Sequence, residues 1–137
     1  MVVNNYNYKA IFNNTKKRDK IIKTMSKKTN RPWGKFKIIH QEPGITIKII
    51  SVKPGQRLSL QYHKNRDEIW LLLKGSGFAE LFDTIETMAP STTQIIPREV
   101  NHRLSAGKEG CKVLEVSFGK FNEKDEVRYE DDYGRII

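Results

Sequence analysis

The sequence of 137 residues contains one cysteine and no long apolar segment. A lone cysteine, Cys111, cannot form a disulfide within the chain, so the reducing cytoplasm is the expected compartment. No stretch approaches the about 18 apolar residues of a membrane-spanning helix, and the N-terminus lacks the apolar core of a signal peptide. No membrane partner is therefore expected. Because Cys111 opens an apolar run, its predicted role is packing.

Acidic residues are also few: 16 Asp and Glu stand against 25 Lys and Arg, which gives a net charge of +9. This excess is concentrated at one end. Residues 1–30 contain eight basic residues and one acid, Asp19, whereas the rest of the chain contains 17 basic and 15 acidic residues. A nucleic-acid-binding domain carries its basic residues on its own surface. We therefore assign the charge to a leader and predict no nucleic-acid partner.

The leader, residues 1–30, contains one helical pattern. Between Thr15 and Lys28, the apolar residues Ile21, Ile22 and Met25 recur at helical spacing among lysines. Asn14 or Thr15 can cap this segment, so we predict a short helix ahead of a single domain, residues 31–137. A basic amphipathic helix that touches a membrane or nucleic acid is the alternative.

After residue 30 the chain alternates between short β-rich stretches and turns with Gly or Pro. The predicted strands are Lys35–His40, Ile45–Val52, Arg57–His63, Glu68–Lys74, Gly77–Phe82, Thr84–Met88, Gln94–Ile96, His102–Ser105 and Cys111–Phe118. About nine short strands at this spacing predict an all-β sandwich or small barrel. We expect the polar tail, residues 120–137, to contain a short helical turn and to lie across the barrel; a solvated acidic end is the alternative.

One predicted strand carries an unusual polar face. Side chains alternate in a strand, so Arg57, Ser59, Gln61 and His63 share one face, and Glu68 starts the next strand. Imidazole and oxygen ligands suit a divalent metal such as Zn, Mn, Co, Fe or Ni. Four residues offer them, provided that the fold brings the last one to the others: Gln61, His63, Glu68 and His102. A structural role for a lone His63 is the alternative.

The spacing of these residues resembles the two-part signature of the cupin barrels: Gly55, Gln61, His63, Glu68, Gly75, then Pro97 and His102. Three further segments are similar to the C-terminal domain of type II mannose-6-phosphate isomerases: Arg31-Pro-Trp-Gly34, Val52 to Gln61, and Arg128 to Arg135. The resemblance implies a double-stranded β-helix, or jelly roll, with one divalent metal bound by the four residues named above. It also implies interconversion of mannose 6-phosphate and fructose 6-phosphate, which supplies GDP-mannose for polysaccharide synthesis.

The implied chemistry passes through an enediolate and needs a base for a carbon-bound proton. Glu68, Glu80 and a hydroxide ion at the metal remain open. The substrate phosphate needs cations, and guanidinium groups suit it. We expect Arg57 and Arg135 to bind it, with Arg135 also catalytic and Tyr133 either closing the site or packing. Weaker candidates are Lys53 and Arg66, while Arg103 is expected to point away.

The chain departs from the family pattern at four positions: Lys64, Asn65, Ile69 and Glu99. One alternative is therefore a non-catalytic module that binds a sugar phosphate and pairs with a separate mannose-1-phosphate guanylyltransferase, since a chain of this length leaves no room for that domain. Another is a different metal-dependent activity, such as that of a dioxygenase or a sugar epimerase. Apolar residues on one strand, Ile45, Ile47 and Ile49, indicate a homodimer.

Overall fold

The structure, a computed structural model, describes residues 28–136. Its elements are nine strands and one 3-10 turn: β1 (Lys28–Arg31), β2 (Gly34–Glu42), β3 (Ile45–Val52), β4 (Leu60–His63), β5 (Arg66–Leu81), β6 (Thr84–Met88), β7 (Thr93–Ile96), β8 (His102–Gly119), the turn Glu123–Asp125, and β9 (Glu126–Glu130). The predicted leader helix lies outside the described residues, apart from Lys28, which begins β1. None of the helical structure in residues 28–136 is long and apolar enough to span a membrane.

Two long strands, β5 and β8, organise the curled antiparallel sheet. The first part of β5 pairs with the second part of β8, and beyond Gly75 and Gly77 the remaining parts pair with each other. Each strand was predicted as two strands, because the glycines between the halves resemble turn signals. They instead allow close approach: Gly75 has a φ of 83°, and a Cβ there would lie 2.1 Å from the carbonyl oxygen of Gly110.

The inward side chains of the sheet change from polar at one end to apolar at the other. Three successive rows across β3, β8 and β5 show the change: Thr46, Ser117 and Glu68; Lys48, Glu115 and Trp70; Ile50, Val113 and Leu72. All nine side chains are buried. The apolar row belongs to a core that includes Trp33, Phe36 and Cys111, as predicted for the cysteine. Burial raises the pKa of the Cys111 thiol to about 11, which leaves it unreactive.

The tail lies along β4, near the polar end of the interior. Asn122 caps the 3-10 turn by accepting a hydrogen bond from the Lys124 amide. The chain then forms β9, which pairs antiparallel with β4, and the rings of Tyr62 and Tyr129 lie 5.7 Å apart. The short helical turn was predicted correctly, but the strand after it was missed.

Candidate metal centre

Three side chains from three strands converge at the polar end of the interior. The nitrogen and oxygen donors of His63, Glu68 and His102 all lie within 4.8 Å of one another. His63 Nε2 is 3.1 Å from Glu68 Oε1, and His102 Nε2 is 3.8 Å from Glu68 Oε2. All three are buried. We expected these side chains to converge if the fold allowed it, and they do so because β8 pairs with both β4 and β5.

His102 is oriented by its own backbone turn. Its Nδ1 lies 2.8 Å from the Val100 carbonyl oxygen, and since a carbonyl only accepts, Nδ1 carries the hydrogen. Burial lowers the pKa of His102 to about 4, so the ring is neutral near pH 7 and Nε2 presents a lone pair. Among the described residues, this buried Nε2 has no hydrogen-bond partner. A neutral imidazole fixed through its other nitrogen is the usual form of a metal-ligating histidine.

Glu68 is a carboxylate in a fully buried position. Burial by itself would raise its pKa, but the hydrogen bond with His63 and the positive charge of Arg66 hold the pKa far below its usual value. Arg66 Nε donates to Glu68 Oε1 over 3.0 Å, and Trp70 Nε1 donates to Oε2 over 3.3 Å. The carboxylate is therefore ionised, which is the form that binds a cation.

Gln61 lies beside this cluster. Its amide nitrogen is 3.3 Å from His63 Nε2, and its oxygen accepts a hydrogen bond of 2.5 Å from the Ser59 hydroxyl. Rotation of the amide by about 180° would exchange the two atoms, since a hydroxyl both donates and accepts. Two imidazoles, a carboxylate and an adjacent amide oxygen make a donor set that fits a divalent cation.

The cluster borders a small cavity of about 40 Å³. Aromatic and aliphatic side chains form part of the wall, among them Trp33, Phe36 and Ile50. Ser59, Gln61 and His63 also line it, and the remaining side chains are charged: Arg31, Lys48, Arg66, Glu68, Glu115, Glu126, Arg128 and Arg135. Five of these charged side chains are cations and three are carboxylates, so the lining has a net positive charge that suits an anionic ligand.

The predicted phosphate ligands occupy different places. Arg135 lines the cavity, where its guanidinium is paired with Asp131 and lies 5.4 Å from the Tyr133 ring centroid. Arg57 is outside the lining and forms a two-point ion pair with Asp132, with N–O distances of 2.8 and 2.9 Å. Arg57 was expected to share a strand face with Gln61 and His63. This prediction is wrong because the regular strand starts only at Leu60.

Tyr133, the third predicted substrate contact, donates a hydrogen bond of 2.7 Å to Gln56 Oε1. It also packs against the hydrophobic core. Its contacts, like those of Arg57, attach the tail to the segment before β4. The two weaker candidates for phosphate binding differ in burial. Lys53 is exposed, whereas Arg66 is 2% exposed and contacts both Glu68 and His63.

The four departures from the family pattern lie outside the cavity lining. Lys64 and Asn65 are exposed, and their backbone amides donate to the Asp125 carboxylate. Ile69 occupies the outer face of β5, opposite in parity to Glu68. Glu99 adopts a left-handed backbone conformation, φ 64°, and its amide donates a hydrogen bond of 2.7 Å to the His63 carbonyl.

Several cavity residues were not singled out from the sequence. Arg31 and Arg128 both stand in segments that carry the family resemblance, and strand parity around the cavity is the signal that could have selected them. Lys48 and Glu115 are charged residues at inward positions of otherwise apolar strands. An inward charge in such a strand needs a partner or a function, so alternation alone could have identified this pair.

The chain is similar in sequence to proteins named for polysaccharide biosynthesis and for mannose-1-phosphate guanylyl transfer. It is 38% identical over 114 residues to the xanthan biosynthesis protein XanB of Xanthomonas campestris pv. campestris, covering 82% of this chain and 24% of that protein. It is 34% identical over 114 residues to the mannose-1-phosphate guanylyltransferase ManC of Salmonella typhimurium, with the same coverage. It is 36% identical over 107 residues to the alginate biosynthesis protein AlgA of Pseudomonas aeruginosa, covering 77% and 22%. The chain thus spans about a quarter of the length of these relatives.

Solved structures with the same fold are more distant in sequence. A variant of Streptomyces PAC13 with uridine superposes with a TM-score of 0.69 at 17% identity, covering 78% of this chain and 87% of that one. Oxalate decarboxylase OxdC of Bacillus subtilis also gives a TM-score of 0.69, at 19% identity, covering 77% and 30%. These likenesses confirm the predicted all-β cupin architecture.

A family model described as "Mannose-6-phosphate isomerase C-terminal" matches residues 17–132, which include His63, Glu68 and His102, all of the cavity lining except Arg135, and most of the tail. The chain belongs to this mannose-6-phosphate isomerase C-terminal family.

Proposed function

We propose that this chain is a metal-dependent aldose–ketose isomerase that interconverts mannose 6-phosphate and fructose 6-phosphate, in the supply of GDP-mannose for polysaccharides. The observation that carries the proposal is the buried cluster of His63, Glu68 and His102 at the wall of a cationic cavity. A divalent cation bound by these residues and Gln61 supplies electrostatic stabilisation of negative charge on a substrate oxygen. We also propose a cytoplasmic location, because the lone cysteine, Cys111, is buried as a free thiol.

The chain's own residues divide into two groups for this reaction. Glu68 and the two histidines hold the cation near the reacting end of the sugar, and Trp70 fixes the Glu68 carboxylate by hydrogen bonding. Arg135 is our main candidate for the phosphate, joined by Arg31 and Arg128 on the same cavity wall. One guanidinium group can donate two parallel hydrogen bonds to a phosphate. The contacts of Arg57 and Tyr133 favour tail attachment over direct phosphate binding.

The experiment is a coupled assay of fructose 6-phosphate formation from mannose 6-phosphate. We expect turnover that a chelator abolishes and added divalent metal restores. Absence of turnover in protein with full metal content would overturn the isomerase proposal. His63→Ala should lose both metal and activity while keeping its β-rich circular dichroism spectrum; full metal content in that variant would remove His63 from the ligand set.

A second candidate is the non-catalytic sugar-phosphate-binding module paired with a separate mannose-1-phosphate guanylyltransferase. The observation in its favour is Arg66, whose guanidinium donates to Glu68 and lies 3.2 Å from His63 Nε2. These contacts use the same atoms that a cation needs. Binding of mannose 6-phosphate without turnover, measured by calorimetry, would favour this candidate.

We also propose that the chain pairs with a second copy of itself through the outer face of the sheet. One row across this face is apolar on four strands: Ile47, Val116, Ile69 and Ile95. Ile45 and Ile49 extend the patch on β3, and Ile95 and Phe118 are 64% and 40% exposed. A contiguous apolar surface of this kind is typical of an interface.

A further inference from the structure

A buried ion pair lies in the cavity wall beside the metal cluster. Lys48 Nζ is 3.6 Å from Glu115 Oε1, and each residue is 5% exposed. Both line the cavity. Lys48 also lies 4.8 Å from the centroid of the Phe36 ring and 4.4 Å from that of Phe121. Because desolvation of two charges offsets most of their attraction, a buried pair adds little to stability. Its presence in the cavity indicates a functional role.

The strand register places this pair next to the cluster. Glu115 on β8 is opposite Trp70 on β5, and the next inward row pairs Ser117 with Glu68. Neighbouring strands are about 4.8 Å apart and inward positions of one strand about 6.8 Å apart, so Glu115 is a diagonal neighbour of Glu68. The Ser117 hydroxyl donates to Glu115 Oε1 over 3.4 Å. Glu115 therefore faces the same space as the metal cluster.

The carboxylates near the cavity differ in their hydrogen-bond and ion-pair partners. Glu68 is engaged by His63, Arg66 and Trp70. Glu126 is paired with Arg128 at 2.6 Å. Glu80, one base left open from the sequence, is outside the lining and 3.9 Å from Arg103. Glu115 contacts the Lys48 ammonium over 3.6 Å and the Ser117 hydroxyl over 3.4 Å, both longer than the contacts that hold Glu68 and Glu126. Among the described residues, its carboxylate is therefore the one best placed to approach a substrate carbon.

We propose that Glu115 is the base that moves the carbon-bound proton between C2 and C1 of the sugar, with Lys48 as the positioning residue that holds its carboxylate. This inference rests on the proposed isomerase function. Burial, and next the negative charge of Glu68, raise the pKa of Glu115. A higher proton affinity brings a carboxylate closer to the pKa that a general base needs near neutral pH.

The proton and electron movements balance within the sugar and this one side chain. Glu115 takes the proton from C2 of the open-chain aldose, the C–H electron pair forms the C1–C2 double bond, and the carbonyl electrons move to O1. A proton then passes from O2 to O1. When the O2 electrons form the ketone, the double-bond pair takes the proton from Glu115 at C1, and the free carboxylate is restored.

The test uses the full chain loaded with metal in deuterium oxide. We expect Glu115→Gln to lower kcat by about 100-fold or more and to abolish exchange of solvent deuterium into C2 of mannose 6-phosphate. Metal content and the dissociation constant for the sugar phosphate should stay within about threefold of wild type, because no proposed ligand is altered. Glu86→Gln, the same change at an exposed position of β6, is the matched control and should retain wild-type kcat.

Three results would overturn the inference. Turnover and exchange by Glu115→Gln at the wild-type rate would exclude Glu115 alone and leave the isomerase proposal standing. Failure of metal-loaded wild-type protein to turn over or exchange would remove both together. If Glu115→Gln does not fold, Glu115→Asp decides: it keeps the charge but withdraws the carboxylate by about 1.5 Å, so unchanged kcat in that variant would also overturn the inference.

Discussion

Glu99 shows how a single backbone conformation affects the metal cluster. It lies three residues before His102 in a left-handed conformation, φ 64°, where a side chain other than glycine costs about 1–2 kcal/mol. Its amide hydrogen bond to the His63 carbonyl ties this turn to the strand that carries another candidate ligand. The turn therefore holds Glu99 in a conformation that favours glycine, and His102 reaches the cluster.

Replacement of Glu99 by glycine should stabilise the protein. Relief of the left-handed conformation exceeds the extra chain entropy of glycine, so we expect Glu99→Gly to raise the free energy of unfolding by about 0.5–1 kcal/mol. Urea denaturation measures this. The matched control is Glu109→Gly in β8, outside the residues with positive φ, which should lower the value by about 0.5–1 kcal/mol. A lower stability for Glu99→Gly would contradict the account of this turn.

The strands and the tail show what the sequence could and could not predict. Short-range sequence patterns predicted the bounds of β3 and placed Gln61 and His63 on one face of their strand. Arg57 was misplaced because the chain leaves regular strand geometry before Leu60, which alternation does not reveal. The pairing of β9 with β4 joins residues about 65 positions apart, and no short-range pattern predicts such a contact.

The tail gives a prediction for substrate binding. Arg135 lies at the cavity wall, where Asp131 accepts its hydrogen bonds and β9 precedes it in the chain. If it binds the phosphate, Arg135→Ala should raise KM for mannose 6-phosphate by about 10- to 100-fold, the loss expected for hydrogen bonds to a charged group. Arg98→Ala removes an exposed arginine paired with Asp67 and is the control. An unchanged KM in the Arg135 variant would mean that the tail does not bind phosphate.

At the scale of the whole molecule, the two faces of the sheet serve different roles. The inner face changes from a core to a charged cavity, while the outer face keeps apolar residues on adjacent strands. Ile69 belongs to this outer surface, which explains how the chain tolerates its departure from the family pattern. The proposed cation and the proposed second copy therefore contact opposite sides of β5.

The outer face predicts the oligomeric state. Ile47→Glu places a charge in the middle of the apolar row, so we expect it to convert a dimer to a monomer in sedimentation velocity at micromolar concentration. Ile85→Glu is the control, because Ile85 is 69% exposed on β6, away from that row. A monomeric wild-type protein, or a dimer that tolerates Ile47→Glu, would contradict the proposed interface.

The central claim is that His63, Glu68 and His102 form a cation site. The most direct test is the metal content of the purified full chain after dialysis, measured by inductively coupled plasma mass spectrometry for wild type and for His102→Ala. The account predicts one divalent ion per wild-type chain, and loss of about nine-tenths of it in a variant that retains the β-rich circular dichroism spectrum. Wild-type protein without stoichiometric metal, or a His102→Ala variant with full occupancy, would contradict it.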